Sequence, residues 1–456
     1  MSFVKDPPDL RSAVRNLCRA VTPEIQASVQ AEQLLSRVEI RQETNISSVS
    51  QNQGIVSWSA HHSLRTVPTL DIARLFDFVT RRIKQTGAYA ECKATLAAHS
   101  SDKNAERADF LVQQFSVRLV QNLIEDPSGN SVDRLCDVFL ADVDEVPIWF
   151  SVVCGLTGVW VEGGSLHFSR YGLRRVSAED IQVMLDSPFP NKLGAPMMMV
   201  PPTILEFNIK APEGYLAQKE TGFLTSVLLL AGHGSVRNVL TTLQAETIFR
   251  PLGGFGGPSW TSGARYNYAI SEQNASTLET LVSILRPSFE SDKPSDSLKA
   301  ILRAFQRYQT AVTTPNDTPS IIALCISTLE ALFLRGKERA ELSNRLSNRV
   351  AIFLRECGEN PIQLRKLIRR AYDIRSTFIH GDDMESETSA EMEKICNEVS
   401  DVAREVVLLM LQIHGEISKD DLISRLDNAL LDEKAAGKLR ELLNGKVRGL
   451  TKPKWA

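Results

Sequence analysis

The sequence predicts an α+β protein, with a mixed N-terminal region followed by an all-helical bundle. Three observations predict it. Val, Ile, Phe and Trp crowd into short runs separated by turn residues between about residues 134 and 209. From about residue 296 onward, apolar residues recur at the three- and four-residue spacing of helices. Helix punctuation marks the same stretch, with Pro319 and Pro361 near helix starts and Gly336, Gly358, Gly381 and Gly415 at ends.

Residues 1–40 read as helix, because Val14, Leu17, Val21 and Ile25 fall on one face. Residues 41–70 are polar and rich in Ser and Gln, which predicts a loop or a weakly ordered strand pair. Helical spacing returns at about 71–86 and 104–125. "RLCDVFLADV", "VPIWFSVVCGLTGVWVEGGSLHFSRYG" and "PMMMVPPTILEFNI" form the strand-like stretch, with a hairpin expected at 159–168 around Gly163-Gly164. "SAEDIQVML" (177–185) opens with a Ser–Asp capping pattern and reads as helix. "PLGGFGGPSW" (251–260) reads as a loop.

The helical part begins with "SLKAILRAFQRYQTAV". "PSIIALCISTLEALFLRG" follows, in which Ile321, Leu324, Cys325, Leu329, Leu332 and Phe333 make a wide apolar face. "LSNRLSNRVAIFLREC", "NPIQLRKLIRRAYDIRSTFIHG" and "SETSAEMEKICNEVSDVAREVVLLMLQIHG" complete a bundle with short loops. The organisation expected is residues 1–290 as an α+β sensor or regulatory region with an internal break near 126. Residues 296–415 form the bundle, and 416–456 a helical tail that ends in the basic "GKVRGLTKPKWA".

The 456-residue chain carries 52 Lys and Arg against 55 Asp and Glu, a net charge of −3, so any attraction for a polyanion has to be local. Seven cysteines without a CxxC pair point to reduced thiols and a cytoplasmic setting. The N-terminus has charges where a signal peptide needs an apolar core. No window reaches the roughly 18 uninterrupted apolar residues of a membrane span.

The chemistry-bearing stretch is "AYDIRSTFIHGDD" (371–383). It places Arg375, Ser376 and His380 at the end of a helix that Gly381 stops. Residues five apart on an ideal helix point about 140° from one another, so Arg375 and His380 cannot share a face, whereas Ser376 and His380 can. Between Arg335 and Arg375 there are eleven basic and five acidic residues, a local excess of six that suits a phosphate backbone.

The segment "SIIALCISTLEALF…LSNRVAIFL…LRKLIRRAYDIRSTFIHG" resembles the Apea-type HEPN domain over about 65 residues. The resemblance implies a helical bundle carrying an Arg, four to six residues, then a His, matched here by Arg375 and His380. In active members this pair is the centre of a metal-independent endoribonuclease, usually assembled from both subunits of a dimer. Such proteins often serve in prokaryotic anti-phage defence or as toxins. The residue after the Arg is generally Asn, Asp or His, and here it is Ser376. The expected catalytic set is therefore Arg375, His380 and Ser376, with RNA as substrate, a homodimer formed through the bundle, and no cofactor or metal.

RNA cleavage of this kind needs a base for the 2′-OH, an acid for the leaving 5′-oxygen and a cation for the extra phosphate charge. Imidazole serves the first two near neutral pH, and a guanidinium fork serves the third. Tyr372 and Asp373 are candidate supports, although Asp373 also has Arg369 and Arg370 within helical reach. Glu330, inside an apolar stretch, is expected to be buried against an arginine such as Arg349. Arg349, Arg365, Lys366, Arg369 and Arg370 are the candidate RNA-binding residues. The alternative is a non-catalytic HEPN module that binds RNA or nucleotide or scaffolds a partner. A helix-end His next to Gly is also common, because an imidazolium complements the helix dipole. His61 and His62 are adjacent and diverge, and "GGFGG" (253–257) lacks the context of a phosphate loop.

Overall fold

The computed structural model describes residues 9–30, 35–52, 55–70, 72–99, 102–186, 200–248, 255–256, 264–314, 316–381 and 388–450. It is an α+β structure, with sheets in the N-terminal part and, among the described residues, only helices after residue 274.

Helix α1 (Leu10–Gln30) leads into a two-stranded antiparallel ribbon, β1 (Leu35–Asn52) and β2 (Ile55–Leu70). The polar stretch read as a loop or a weak strand pair is thus a long ribbon. Ile46, Val49, Val56 and Trp58 near its tip pack on the buried Val176, Ile181 and Ile204. Then come α2 (Ile72–Phe78), which runs into a π-turn at 79–83, α3 (Gly87–His99), α4 (Asp102–Glu125) and α5 (Val132–Val143). These helices and α1 share one core around Leu17, Phe115, Leu119 and Phe139. Helix α5 corrects the sequence reading of "RLCDVFLADV" as strand-like. Leu135, Cys136, Phe139, Leu140 and Val143 fall at helical spacing and are all buried, so the 3.6-residue period outweighs β-propensity.

The main sheet comprises β3 (Ile148–Thr157), β5 (Ser165–Phe168), β6 (Tyr171–Arg175), β7 (Thr203–Ala211), β8 (Arg237–Gln244) and β9 (Phe255–Gly256). Their order is β5-β6-β7-β3-β8-β9, with antiparallel pairing throughout. The short strand β4 (Val159–Val161) pairs in parallel with β10 (Tyr268–Ile270). The hairpin expected at 159–168 is therefore split. Gly163 and Gly164 do turn the chain at positive φ, 79° and 107°, but β4 joins β10 while β5 pairs with β6. Helix α6 (Ala178–Asp186) begins as its capping pattern predicts: Ser177 Oγ accepts from the Asp180 amide and the Asp180 carboxylate accepts from the Ser177 amide. Of "PLGGFGGPSW", only 255 and 256 lie within the described residues.

Helix α7 (Gly214–Ala231) and α8 (Ala275–Glu290) connect the sheet to α9 (Asp296–Thr313), α10 (Thr318–Phe333), α11 (Leu342–Arg355), α12 (Pro361–His380), α13 (Ser389–Ile413), α14 (Lys419–Asn428) and α15 (Glu433–Leu443). Ser295, Asp317, Asn360 and Thr388 cap α9, α10, α12 and α13 through side-chain oxygens. One continuous apolar core runs from the sheet, through α7 and α8, into the bundle. The seam carries buried charge: Arg404 on α13 pairs with Asp401 at 2.8 Å and donates to the Leu230 carbonyl of α7 at 2.9 Å. Among the described residues no helix is long and apolar enough to cross a membrane.

Candidate functional site

Helix α12 sets the geometry. Asn360 starts it by accepting from the amides of Ile362 and Gln363, and Pro361 occupies its first turn. Gly381, at φ 75°, ends it in the left-handed conformation that glycine adopts most cheaply. His380 is thus the last residue of a regular helix. Asp382 and Asp383 lie outside the described residues.

Leu364, Leu367, Ile368, Ala371 and Ile374 bury one face of α12 in the bundle. On the outer face, Ile362, Lys366, Arg369, Asp373, Ser376 and His380 follow one another at alternating spacings of four and three, so they make a single stripe along the helix. All are exposed except Ser376, which is half-buried. Arg365 and Arg370, also exposed, flank the stripe. The structure therefore gathers His380, Ser376, Asp373 and four of the five candidate RNA-binding residues on one solvent-facing strip.

Arg375 is not on that strip. It turns toward α10, where its Nη2 meets Glu330 Oε2 at 3.3 Å. Its guanidinium lies 5.6 Å from the centre of the Tyr372 ring. Arg375 Nε is buried and has no hydrogen-bond partner. Burial pushes the Glu330 carboxyl above its ordinary range, opposed by the Arg375 charge and the Tyr372 hydroxyl. Burial and the neighbouring Glu330 raise Tyr372 in turn. On an unbroken helix, Arg375 and His380 diverge by about 140° and are about 7.5 Å apart along the axis, so one chain does not bring them together.

Two sequence expectations are corrected here. Glu330 is held by Arg375, not by Arg349. Arg349 is not a surface RNA contact, since it is among the largest fully buried side chains. Its Nε and Nη2 meet Asp427 at 2.7 and 2.9 Å, Nη1 and Nη2 meet Glu338 at 2.9 and 2.7 Å, and Nη1 reaches the Phe333 carbonyl at 2.8 Å. The cause is spacing on α11. Arg349 sits between Leu346, Val350 and Phe353 on the buried face, where only a fully bonded guanidinium is tolerated. The Arg349 guanidinium in turn draws the Glu338 carboxyl down to about 2.

The sequence reading did not assemble Arg307, Arg335, Arg339 and Lys419, which line a cleft beside Glu330. They come from α9, the α10–α11 connection and α14, so no local spacing announces the grouping. Comparison with family models, with curated proteins and with solved structures returned no match.

Proposed function

We propose that the chain is a metal-independent endoribonuclease of the HEPN type, acting in the cytoplasm as a homodimer on single-stranded RNA, in the setting of anti-phage defence or toxicity. The observation that carries the reading is the unequal treatment of two neighbours on α12. Arg375 is held against α10 by Glu330, while half-buried Ser376 and exposed His380 lie one turn apart on the outer face at the helix end.

In this reading His380 exchanges the protons of the reaction: it takes one from the 2′-OH, or returns one to the leaving 5′-oxygen. The oxygen's attack on the adjacent phosphorus breaks the P–O5′ bond and leaves a 2′,3′-cyclic phosphate and a 5′-hydroxyl. Arg375 offers its fork to the non-bridging oxygens, where charge builds up. Lys366, Arg369 and Arg370 lead the strand along the stripe toward His380. A second chain supplies what one helix cannot, an Arg facing a His across a two-fold axis.

The test is labelled single-stranded RNA with the full chain in EDTA, wild type beside His380→Ala. Cleavage by the wild type, with 2′,3′-cyclic phosphate and 5′-hydroxyl ends and none by the variant, is expected. Products with 5′-phosphate overturn the scheme. One observation favours the non-catalytic alternative: Glu330 already neutralises Arg375 within the chain. RNA binding without cleavage in the same assay is the mark of that alternative.

A further inference from the structure

A cleft of about 700 Å³ opens between α9, α10, the α10–α11 connection and the first turn of α14. Its cations are Arg307, Arg335, Arg339 and Lys419, and its acids are Glu330 and Glu338. Each acid has its ion pair with an arginine outside the cleft lining, Glu330 with Arg375 at 3.3 Å and Glu338 with the buried Arg349 at 2.7 Å, while Arg307 and Lys419 lie in the fields of Glu330 and Glu338 respectively.

The cations are held differently. Arg307 Nη1 donates to the Ser327 carbonyl at 3.3 Å. Arg339 Nη1 donates to the carbonyls of Gly336 and Glu338 at 2.7 and 2.9 Å. Lys419 Nζ donates to the Ala331 carbonyl at 2.6 Å. Carbonyl dipoles orient a cation without cancelling its charge. Arg335 donates to Ser424 Oγ at 2.7 Å, and its nearest carboxylate, Asp420 at 3.6 Å, is itself 81% exposed and well hydrated. The start of α11 adds to the positive field. Leu342 lies on the cleft lining, and Glu341, at φ 55°, makes no side-chain cap there.

A concavity of this size, with four oriented cations against two acids that also have arginine partners outside it, suits an oxyanion with several acceptor oxygens. We propose that the cleft is a phosphate-binding site. An RNA backbone and a free phosphate compound present the same chemistry to it. His380 is not among the residues that line it, so the proposal does not depend on the ribonuclease reading.

Two probes separate the sources: pyrophosphate, followed by calorimetry, and a labelled single-stranded RNA carrying 2′-O-methyl at every position so that it cannot be cut, followed by anisotropy, both with the full chain. Arg307→Glu with Arg339→Glu is the main variant, and Arg307→Gln with Arg339→Gln is the milder one. Lys434→Glu with Lys438→Glu, on the exposed side of α15, makes the same change in net charge elsewhere. Unfolding curves establish that each variant is folded.

Loss of about tenfold in affinity per arginine is expected in the Arg variants, with no change in the Lys variant. Loss of pyrophosphate binding alone identifies a free phosphate compound. Loss extending to RNA identifies a strand. Unaltered binding of both probes by the Arg→Glu pair overturns the proposal, as does a wild type that binds neither probe. Cleavage is scored separately, by the ends left on unmodified RNA, so failure of the cleft and failure of the cleavage scheme are read apart.

Discussion

Glu330 on α10 receives Arg375 of α12 at 3.3 Å, and this ion pair decides which way the Arg of the Arg–His motif points. The pair is half-buried, with side-chain exposures of 25% for Arg375 and 19% for Glu330, so water screens it only in part. Burial favours the protonated form of Glu330, and the Arg375 charge opposes that.

Removing the carboxylate therefore frees Arg375 from its aim. Glu330→Ala is expected to lower cleavage by about 10²-fold, the cost of a misplacement of about 1 Å at a reacting centre. Glu330→Gln keeps an acceptor in place and is expected to lose far less. Single-turnover rates with saturating RNA measure both. Equal losses in the two variants show that the charge of Glu330, and not its hydrogen bond, is what matters.

Arg349 is expected to behave as a structural residue. Its removal leaves the Glu338 carboxylate, mostly buried, without its principal cation. Arg349→Met should cost about 3–5 kcal/mol, the range for breaking one side of a buried ion pair. Urea unfolding reads the cost. RNA affinity measured well below the unfolding midpoint should match the wild type, and a specific loss there restores Arg349 to the RNA-binding set.

The same pair gives a pH signature. Glu338 has an ordinary value of 4.5 and is held at about 2 in the folded chain, chiefly by Arg349. A depressed carboxyl stabilises the fold fully above its unfolded value and progressively less as pH falls toward its folded one. Stability is thus expected to fall between pH 4.5 and 2. In Glu338→Gln the slope over that window should be shallower, which urea midpoints at several pH values will show. An unchanged slope means that other carboxylates, such as Glu220, carry the acid sensitivity.

Local patterns were legible in the sequence, and long-range pairings were not. The helices of the bundle follow from apolar spacing and from Asn360, Thr388 and Gly381, whose effects extend only over the first or last turn of a helix. The divergence of Arg375 and His380 follows from helix geometry alone. The split of the Gly163-Gly164 hairpin did not show, because a turn fixes where the chain reverses and not which strand it then meets. Likewise α10 offers Glu330 to any nearby arginine. Whether Arg349 or Arg375 takes it depends on which face α11 and α12 bury, and Glu338 and Asp427 had already claimed Arg349.

The dimer is tested by mixing. Within one chain Arg375 faces α10 and His380 faces solvent, so in the proposed scheme the productive pair comes from two chains. In a heterodimer of one Arg375→Ala chain and one His380→Ala chain, one composite site lacks both residues and the other keeps an Arg and a His. If one such pair suffices, this heterodimer regains cleavage that neither mutant homodimer shows. If the reaction needs one imidazole as base and a second as acid, the heterodimer is inactive, and so is the heterodimer of wild type with His380→Ala. We expect the second outcome, because one imidazole does not easily serve both sides of an in-line displacement. Differently tagged chains, co-purified and assayed on labelled RNA, give the result. Full activity from a protein that sedimentation shows to be monomeric at the assay concentration excludes both versions.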